Sequence, residues 1–179
     1  MLQDIREVLI SKEAIEAKTK ELAERIIRDY KGKNLLVVGV LKGSVIFASE
    51  LIKNITIPCE IDFMAVSSYG SSSETTGVVR ILKDLDSEIS GKHILIVEDI
   101  VDSGVTLSYL LNYLKTRNAS SVEIASLLTK PSRRKVDIDC KYVGFETPDE
   151  FLVGYGLDYA EKYRNLPFIG ILKREVYEK

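Results

Sequence analysis

The stretch Ile94–Leu107, ILIVEDIVDSGVTL, concentrates residues that could do chemistry. Four apolar residues run into Glu98 and Asp99. Ile100 and Val101 follow, then Asp102, Ser103, Gly104, Val105 and Thr106. The last four lie where a helix should start. The first N–H groups of a helix lack internal partners and point outward, and the helix dipole adds positive potential there. Gly104 permits close backbone approach or a positive φ. Ser103 and Thr106 add hydroxyl donors. The turn therefore suits a phosphate, although it is no Walker loop, because GxxxxGK[ST] is absent.

Glu98 and Asp99 would repel that phosphate, so they serve another part of the same ligand. Carboxylates only accept, and a vicinal diol offers two O–H donors at the right separation. Asp102, between the pair and the turn, is placed to act as a base. Three negative charges together would also stabilise a cationic transition state. A ribose 5-phosphate has a diol and a phosphate a few ångströms apart, so the stretch points to phosphoribosyl chemistry. An acidic pair after a strand alone would equally suit a helix cap or the metal site of a receiver-type phosphotransfer domain. The full spacing, four apolar residues then E-D-φ-φ-D-S-G-x-T, is far more specific.

The elements that position these residues read as alternating strand and helix. Ser11 is a plausible N-cap for a helix over Lys12–Tyr30, with Ile15, Leu22, Ile26 and Tyr30 on one face. Leu35–Val40 is a continuous apolar run, short enough for a buried parallel strand. A helix follows from Val45 to Lys53, then strands over Glu60–Val66 and Val78–Leu82. HILIVED, from His93, is the second apolar strand, and Val105–Lys115 the helix behind it. Val122–Leu128, Lys141–Phe145 and Phe168–Leu172 are further strands. This order predicts an α/β fold, a parallel sheet covered on both faces. Ligands bind beyond the carboxyl ends of such strands. The loops after Val40, Val97, Leu128 and Phe145 should therefore converge on one edge.

Composition narrows the class. Apolar residues make up 45 % of the chain and the formal charge is −2. That fits one globular domain over residues 1–179 and argues against bulk electrostatic binding to nucleic acid. No apolar run approaches the ~20 residues of a spanning helix. The charged opening MLQDIREVLI is not a signal-peptide core. Cys59 and Cys140 read as buried reduced thiols of a cytoplasmic protein. His93, the only histidine, reads as structural or exposed, and no Cys or His spacing suits a metal. The basic run Lys130, Arg133, Arg134 and Lys135 reads on its own as a solvated loop.

VEDIVDSGVT resembles the phosphoribosyl-pyrophosphate motif of type I phosphoribosyltransferases. LKGS, SSYGSS, LLTKPSRR, GFETPDEFLVGYGLDY and KYRNLP, in order, resemble the hypoxanthine-guanine branch in its short bacterial form. The resemblance implies a mainly parallel central sheet flanked by helices. It adds a small hood from the N- and C-terminal segments and a mobile loop over the site. It also implies transfer of phosphoribose from phosphoribosyl pyrophosphate to N9 of hypoxanthine or guanine, giving IMP or GMP and pyrophosphate.

Each loop then acquires an implied role. Leu41, Lys42 and Gly43 match the pyrophosphate loop, whose Leu–Lys peptide is cis in the family. Ser68 and Tyr69 match the mobile loop. Glu98 and Asp99 match the ribose-hydroxyl ligands, and Asp102 the general acid/base near purine N7. Ser103, Gly104, Val105 and Thr106 match the 5-phosphate cradle. Val105 departs from the mammalian pattern, which has Lys there. Lys130 matches the residue contacting the purine 6-oxygen, Phe151 the ring stacking on the base, and Leu152 the backbone reading the 2-position edge. Arg164 matches the pyrophosphate arginine. Asp158, with Glu98 and Asp99, matches the acidic residues around Mg2+. Homodimers or homotetramers and a cytoplasmic location are implied as well. A second class stays open: regulators on this fold bind RNA or DNA. The presence of Lys130, Phe151 and Asp158 and the net charge speak against it.

Overall fold

The computed structural model describes residues 1–68 and 79–178. The elements in chain order are β1 (Ile5–Ile10), α1 (Lys12–Tyr30), β2 (Leu35–Leu41), α2 (Val45–Asn54), β3 (Cys59–Ser68), β4 (Val79–Lys83) and β5 (His93–Val101). Then come α3 (Val105–Lys115), β6 (Ser121–Thr129), β7 (Tyr142–Glu146), β8 (Leu152–Val153), β9 (Ile169–Leu172) and the single turn α4 (Arg174–Tyr177). Six strands form the main sheet in the order β4-β3-β2-β5-β6-β7. All pairs are parallel except β3 with β4.

The sheet is covered on both faces because its central strands are apolar on both. Leu35, Val37, Leu95 and Val97 pack with α1 and α2 through Ile15, Leu22, Ile26, Phe47 and Leu51. Leu36, Val38, Ile94 and Ile96 point the other way, onto Leu107, Leu110 and Leu114 of α3. This is the period-two alternation of a strand, here with hydrophobic residues at both phases. Helix α1 starts as its sequence dictates: Ser11 Oγ accepts the Ala14 N–H at 3.2 Å.

Three features depart from the sequence reading. First, β5 continues beyond Asp99 to Val101. Its ladder with β6 pairs Glu98 with Ser126, Ile100 with Leu128 and Val101 with Thr129. The acidic pair thus lies on the strand, because a ladder is made by backbone groups and tolerates carboxylates that project from it. Second, β1 and β8 join β9 in a small antiparallel sheet of order β1-β9-β8. This is the hood implied by the resemblance. Third, Cys59 and Cys140 are free but only partly buried. Burial still pushes the Cys140 thiol up to about 11, so it is a poor nucleophile. His93 starts β5, with its Nδ1 2.7 Å from Ser121 Oγ.

No described helix is long and apolar enough to cross a membrane. Tyr69 and the rest of the expected mobile loop, through residue 78, lie outside the described residues, and only the backbone of Ser68 is described.

Helix α3 carries the phosphate-type turn at its start, so its packing matters to the site. Leu110 is fully buried against the sheet. Leu110→Ala should cost about 2–5 kcal/mol and lower Tm by roughly 5–15 °C in thermal unfolding. A shift below about 2 °C would mean that this core does not hold α3.

Candidate active site

The four loops do converge at the carboxyl end of the parallel strands. Strand β2 ends in a cis Leu41–Lys42 peptide, as the resemblance implies. The next residue, Gly43, lies against β5: a Cβ there would stand 1.9 Å from Asp99 Oδ2. Gly156, at φ +102°, approaches Gly43 from the other side, and a Cβ on it would meet Gly43 O at 1.9 Å. Two glycines thus let three segments meet without side chains between them.

Glu98 and Asp99 project side by side from β5. Glu98 is 9 % exposed. Burial, and then the neighbouring charge of Asp99, push its carboxyl well above the ordinary value. Burial also raises Asp99, although the Ile100 N–H donates to Asp99 Oδ1 at 2.8 Å and works against the rise. Gly104 takes a left-handed conformation at φ +81° and caps α3. The Val105 N–H points back towards Ser103 Oγ at 3.4 Å. Leu41, Gly43, Glu98, Asp99, Ser103, Gly104, Thr106 and Arg164 line one cavity of about 290 Å³.

A second cavity, of about 440 Å³, lies beside it. Lys130, Phe151, Leu152 and Asp158 line it. Lys130 is buried, and its Nζ donates to the Glu150 carbonyl at 2.7 Å. Burial holds its pKa below the usual lysine value. One of three ammonium donors is engaged there, leaving two for a ligand. Ile100 and Asp102 line both cavities, so the two are joined at the turn after β5.

The basic run is largely exposed but its backbone is tied to the site. The Lys135 and Val136 N–H groups donate to Ser103 O at 2.9 and 3.3 Å, tying the run onto the phosphate-type turn. Arg134 Nη2 donates to Thr129 Oγ1 at 2.8 Å. Arg133 Nε stands 3.1 Å from Asp102 Oδ1, and Arg133 Nη1 3.2 Å from Asp149 Oδ1. The first pair is out of line for a hydrogen bond. Asp102 Oδ1 is therefore buried with no hydrogen-bond partner among the described residues. Arg133 and Lys135 remain exposed, as the solvated reading expects, while Lys130 is buried.

Lys42 and Arg164 lie on opposite sides of Glu161. Lys42 Nζ is 2.8 Å from Glu161 Oε2, and Arg164 Nη2 is 3.2 Å from Glu161 Oε1. Arg164 Nη2 also lies 3.0 Å from Asp158 Oδ1, while Nη1 donates to Gly156 O at 2.7 Å. Asp158 Oδ2 accepts the Glu161 N–H at 2.8 Å, a capping bond with no helix after it. Sequence reasoning missed Glu161 and Arg133. The i,i+3 spacing of Asp158, Glu161 and Arg164 was the available signal for the first, and nothing local marked the second.

The phosphoribosyl transferase domain family matches residues 8–160. The chain belongs to this family. It is similar to the hypoxanthine-guanine phosphoribosyltransferase of Bacillus subtilis, with 55 % identity over 99 % of both chains. Among solved structures, a hypoxanthine phosphoribosyltransferase of Staphylococcus aureus matches at a TM-score of 0.97 and 54 % identity. That match covers 100 % of this chain and 97 % of the other. A hypoxanthine-guanine phosphoribosyltransferase of Bacillus anthracis, solved with HEPES in the active site, matches at a TM-score of 0.91 and 51 % identity. It covers 94 % of this chain and 99 % of that one. The fold expected from the motif order is therefore the family's fold.

The raised pKa of Glu98 has a sign that can be tested. Below about pH 4 the carboxyl is protonated whether the chain is folded or not. As pH rises through its ordinary range, the unfolded chain releases the proton while the folded one retains it, so stability falls. Glu98→Gln removes that loss. It should raise the Tm of the ligand-free protein at pH 7. The gain should vanish near pH 3.5 in the same thermal measurement.

Proposed function

We propose that the joined cavities bind phosphoribosyl pyrophosphate and a 6-oxopurine together. The protein transfers the 5-phosphoribosyl group to N9 of hypoxanthine or guanine, releasing pyrophosphate. One observation carries the reading: Ile100 and Asp102 belong to both cavities, so a sugar in the first and a base in the second meet beside Asp102. The full-length likeness to relatives named for this activity supports it.

Each group has a part that its chemistry fits. The N-terminal N–H groups of α3, with Ser103 and Thr106, hold the 5-phosphate. The backbone at Gly104 and Val105 contributes, so lysine is not needed at 105. Glu98 and Asp99 accept the ribose hydroxyls and stabilise positive charge as the leaving-group bond breaks. Leu41, Lys42 and Gly43 present the pyrophosphate loop, and Arg164 offers a planar fork to phosphate oxygens. Lys130 donates to the purine 6-oxygen, Phe151 stacks on the ring, and the backbone at Leu152 meets the 2-position. Asp102 receives the proton at N7.

Magnesium fits the donor set. Among the described residues no cluster of three His, Cys, Asp or Glu side chains could hold an ion unaided. Mg2+ is ordinarily held by one or two carboxylates completed by substrate oxygens and water. The pair Glu98–Asp99 and the single Asp158 would hold it in that way. The ion supplies charge neutralisation to the departing pyrophosphate. The same reading takes in one domain over 1–179, a homodimer or homotetramer, and a cytoplasmic location, which two free thiols suit. The alternative, a regulator binding RNA or DNA, finds no support in the buried Lys130.

The test is a spectrophotometric assay with magnesium, phosphoribosyl pyrophosphate and one base at a time. Hypoxanthine and guanine should turn over, and adenine and uracil should not. Adenine presents an amino donor to the Lys130 donor, leaving both unpaired. Lys130→Ala should raise the KM for hypoxanthine at least tenfold and narrow the margin against adenine. Inertness towards every base would overturn the reading. Asp102→Asn should lower kcat by about 10²-fold or more while leaving phosphoribosyl-pyrophosphate binding within twofold. Unchanged kcat would remove Asp102 from the proton transfer.

A further inference from the structure

The base cavity has a wall that neither the motif reading nor the family's matched segment accounts for. The family match ends at residue 160, yet Arg174, Tyr177 and Glu178 line the cavity that also holds Lys130 and Leu152. The Tyr177 ring stacks on Phe151 with centroids 4.7 Å apart and planes inclined by 27°. Tyr159 meets Phe151 edge-on at 5.5 Å and 89°. Phe151 is therefore held by two aromatic neighbours, one of them from the tail.

The tail is anchored by backbone, not by its own helicity. A single turn of four residues has no independent stability in water. The Leu172 N–H donates to Phe151 O at 2.8 Å, and the Lys173 N–H to Asp4 O at 2.9 Å. These bonds fix where α4 begins. The turn then brings Tyr177 back over the side chain whose carbonyl holds Leu172. Val176 and Tyr177 pack on the hood cluster with Phe151 and Tyr159, while Arg174 and Glu175 face solvent. The loop of contacts is short: Phe151 backbone to Leu172, one turn, then Tyr177 ring to Phe151 ring.

We propose that Tyr177 is a positioning residue for the purine base. By stacking on Phe151 it fixes the ring plane against which the base packs, and so sets base affinity separately from phosphoribosyl-pyrophosphate affinity. The inference rests on the reading of Phe151 as the base-stacking ring. An aromatic side chain without its stacked neighbour samples a wider range of ring orientations, and the base then has to order it on binding. Phe151, Tyr159 and Tyr177 do not line the other cavity, so the effect should be confined to the base.

Steady-state kinetics of Tyr177→Ala, with each substrate varied in turn, tests this. The KM for hypoxanthine should rise roughly three- to tenfold, the range expected from losing one aromatic pair. The KM for phosphoribosyl pyrophosphate and kcat at saturation should stay within twofold. Tyr177→Phe, which keeps the ring and loses only the hydroxyl, should restore the wild-type value. Should the alanine variant fold poorly, Tyr177→Leu keeps the bulk on the hood and loses the ring, and its base KM should rise in the same way. An unchanged base KM in a folded variant overturns the proposal. So does a parallel rise for both substrates, which would mean general loosening of the hood. A lower base KM also overturns it, because the ring would then compete with the base. Wild-type turnover of hypoxanthine or guanine is the control. Its absence would sink the functional reading and this inference with it, whereas active wild type with an unaffected variant sinks only the role of Tyr177.

Discussion

Two adjacent carboxylates held out of water at the end of a central strand set the terms for the whole site. Glu98 and Asp99 stand near the end of β5, Glu98 buried and Asp99 partly so, and burial raises both carboxyls. Burying like charges together is costly, and here the ligand-free protein meets the cost by retaining protons. Such an arrangement persists only where a ligand with donors, or a cation, relieves it. The neighbouring chain is shaped around the pair. Gly43 leaves room for Asp99, and Gly156 leaves room for Gly43. The hood is thereby seated on the loop after β2 through backbone alone, so the two cavities are held in one fixed relation.

The cations of the site are compensated differently. Lys42 and Arg164 share the exposed carboxylate of Glu161, and Arg164 also meets Asp158. Exposed pairs of this kind contribute little to stability, because water competes for both partners. An incoming anion therefore gives up little when it replaces Glu161. The anionic half of the site is strained and waits for donors, and the cationic half is loosely satisfied and open to exchange. A substrate with a diol at one end of its sugar and a diphosphate beside it answers both conditions.

What the sequence made legible follows from the range of the interactions. Helix α1 was readable because Ser11 and its apolar face are local signals. Strands β2 and β5 were readable because burial on both faces leaves an unbroken apolar run. Strand β1, IREVLI, was not, since its three central residues are all exposed and only its ends are covered. Strand β8 is two residues long and exists only because β9 lies beside it. The same distinction runs through the site. Contiguous motifs such as EDIVDSGVT announce their chemistry by spacing. The contacts of Arg133 with Asp102 and of Tyr177 with Phe151 join residues 31 and 26 positions apart (133 − 102 and 177 − 151). No periodicity encodes them, nor the backbone bonds that tie the exposed basic run to Ser103.

Asp102 is where these two kinds of information meet. The motif places it beside the phosphate-type turn, and the fold places it on the boundary of the base cavity. Its Oδ1 is buried and unpaired among the described residues, although a guanidinium lies 3.1 Å away. An acceptor in that position keeps an open lone pair for a donor that the protein itself does not supply. A purine N7–H, already present on the tautomer whose N9 is free to attack and made acidic as N9 bonds to the sugar, would be such a donor. The Arg133 Nε–H, though close, makes no hydrogen bond to Asp102 Oδ1 and leaves the accepting oxygen available. The geometry thus holds an unpartnered acceptor at the junction of the two cavities.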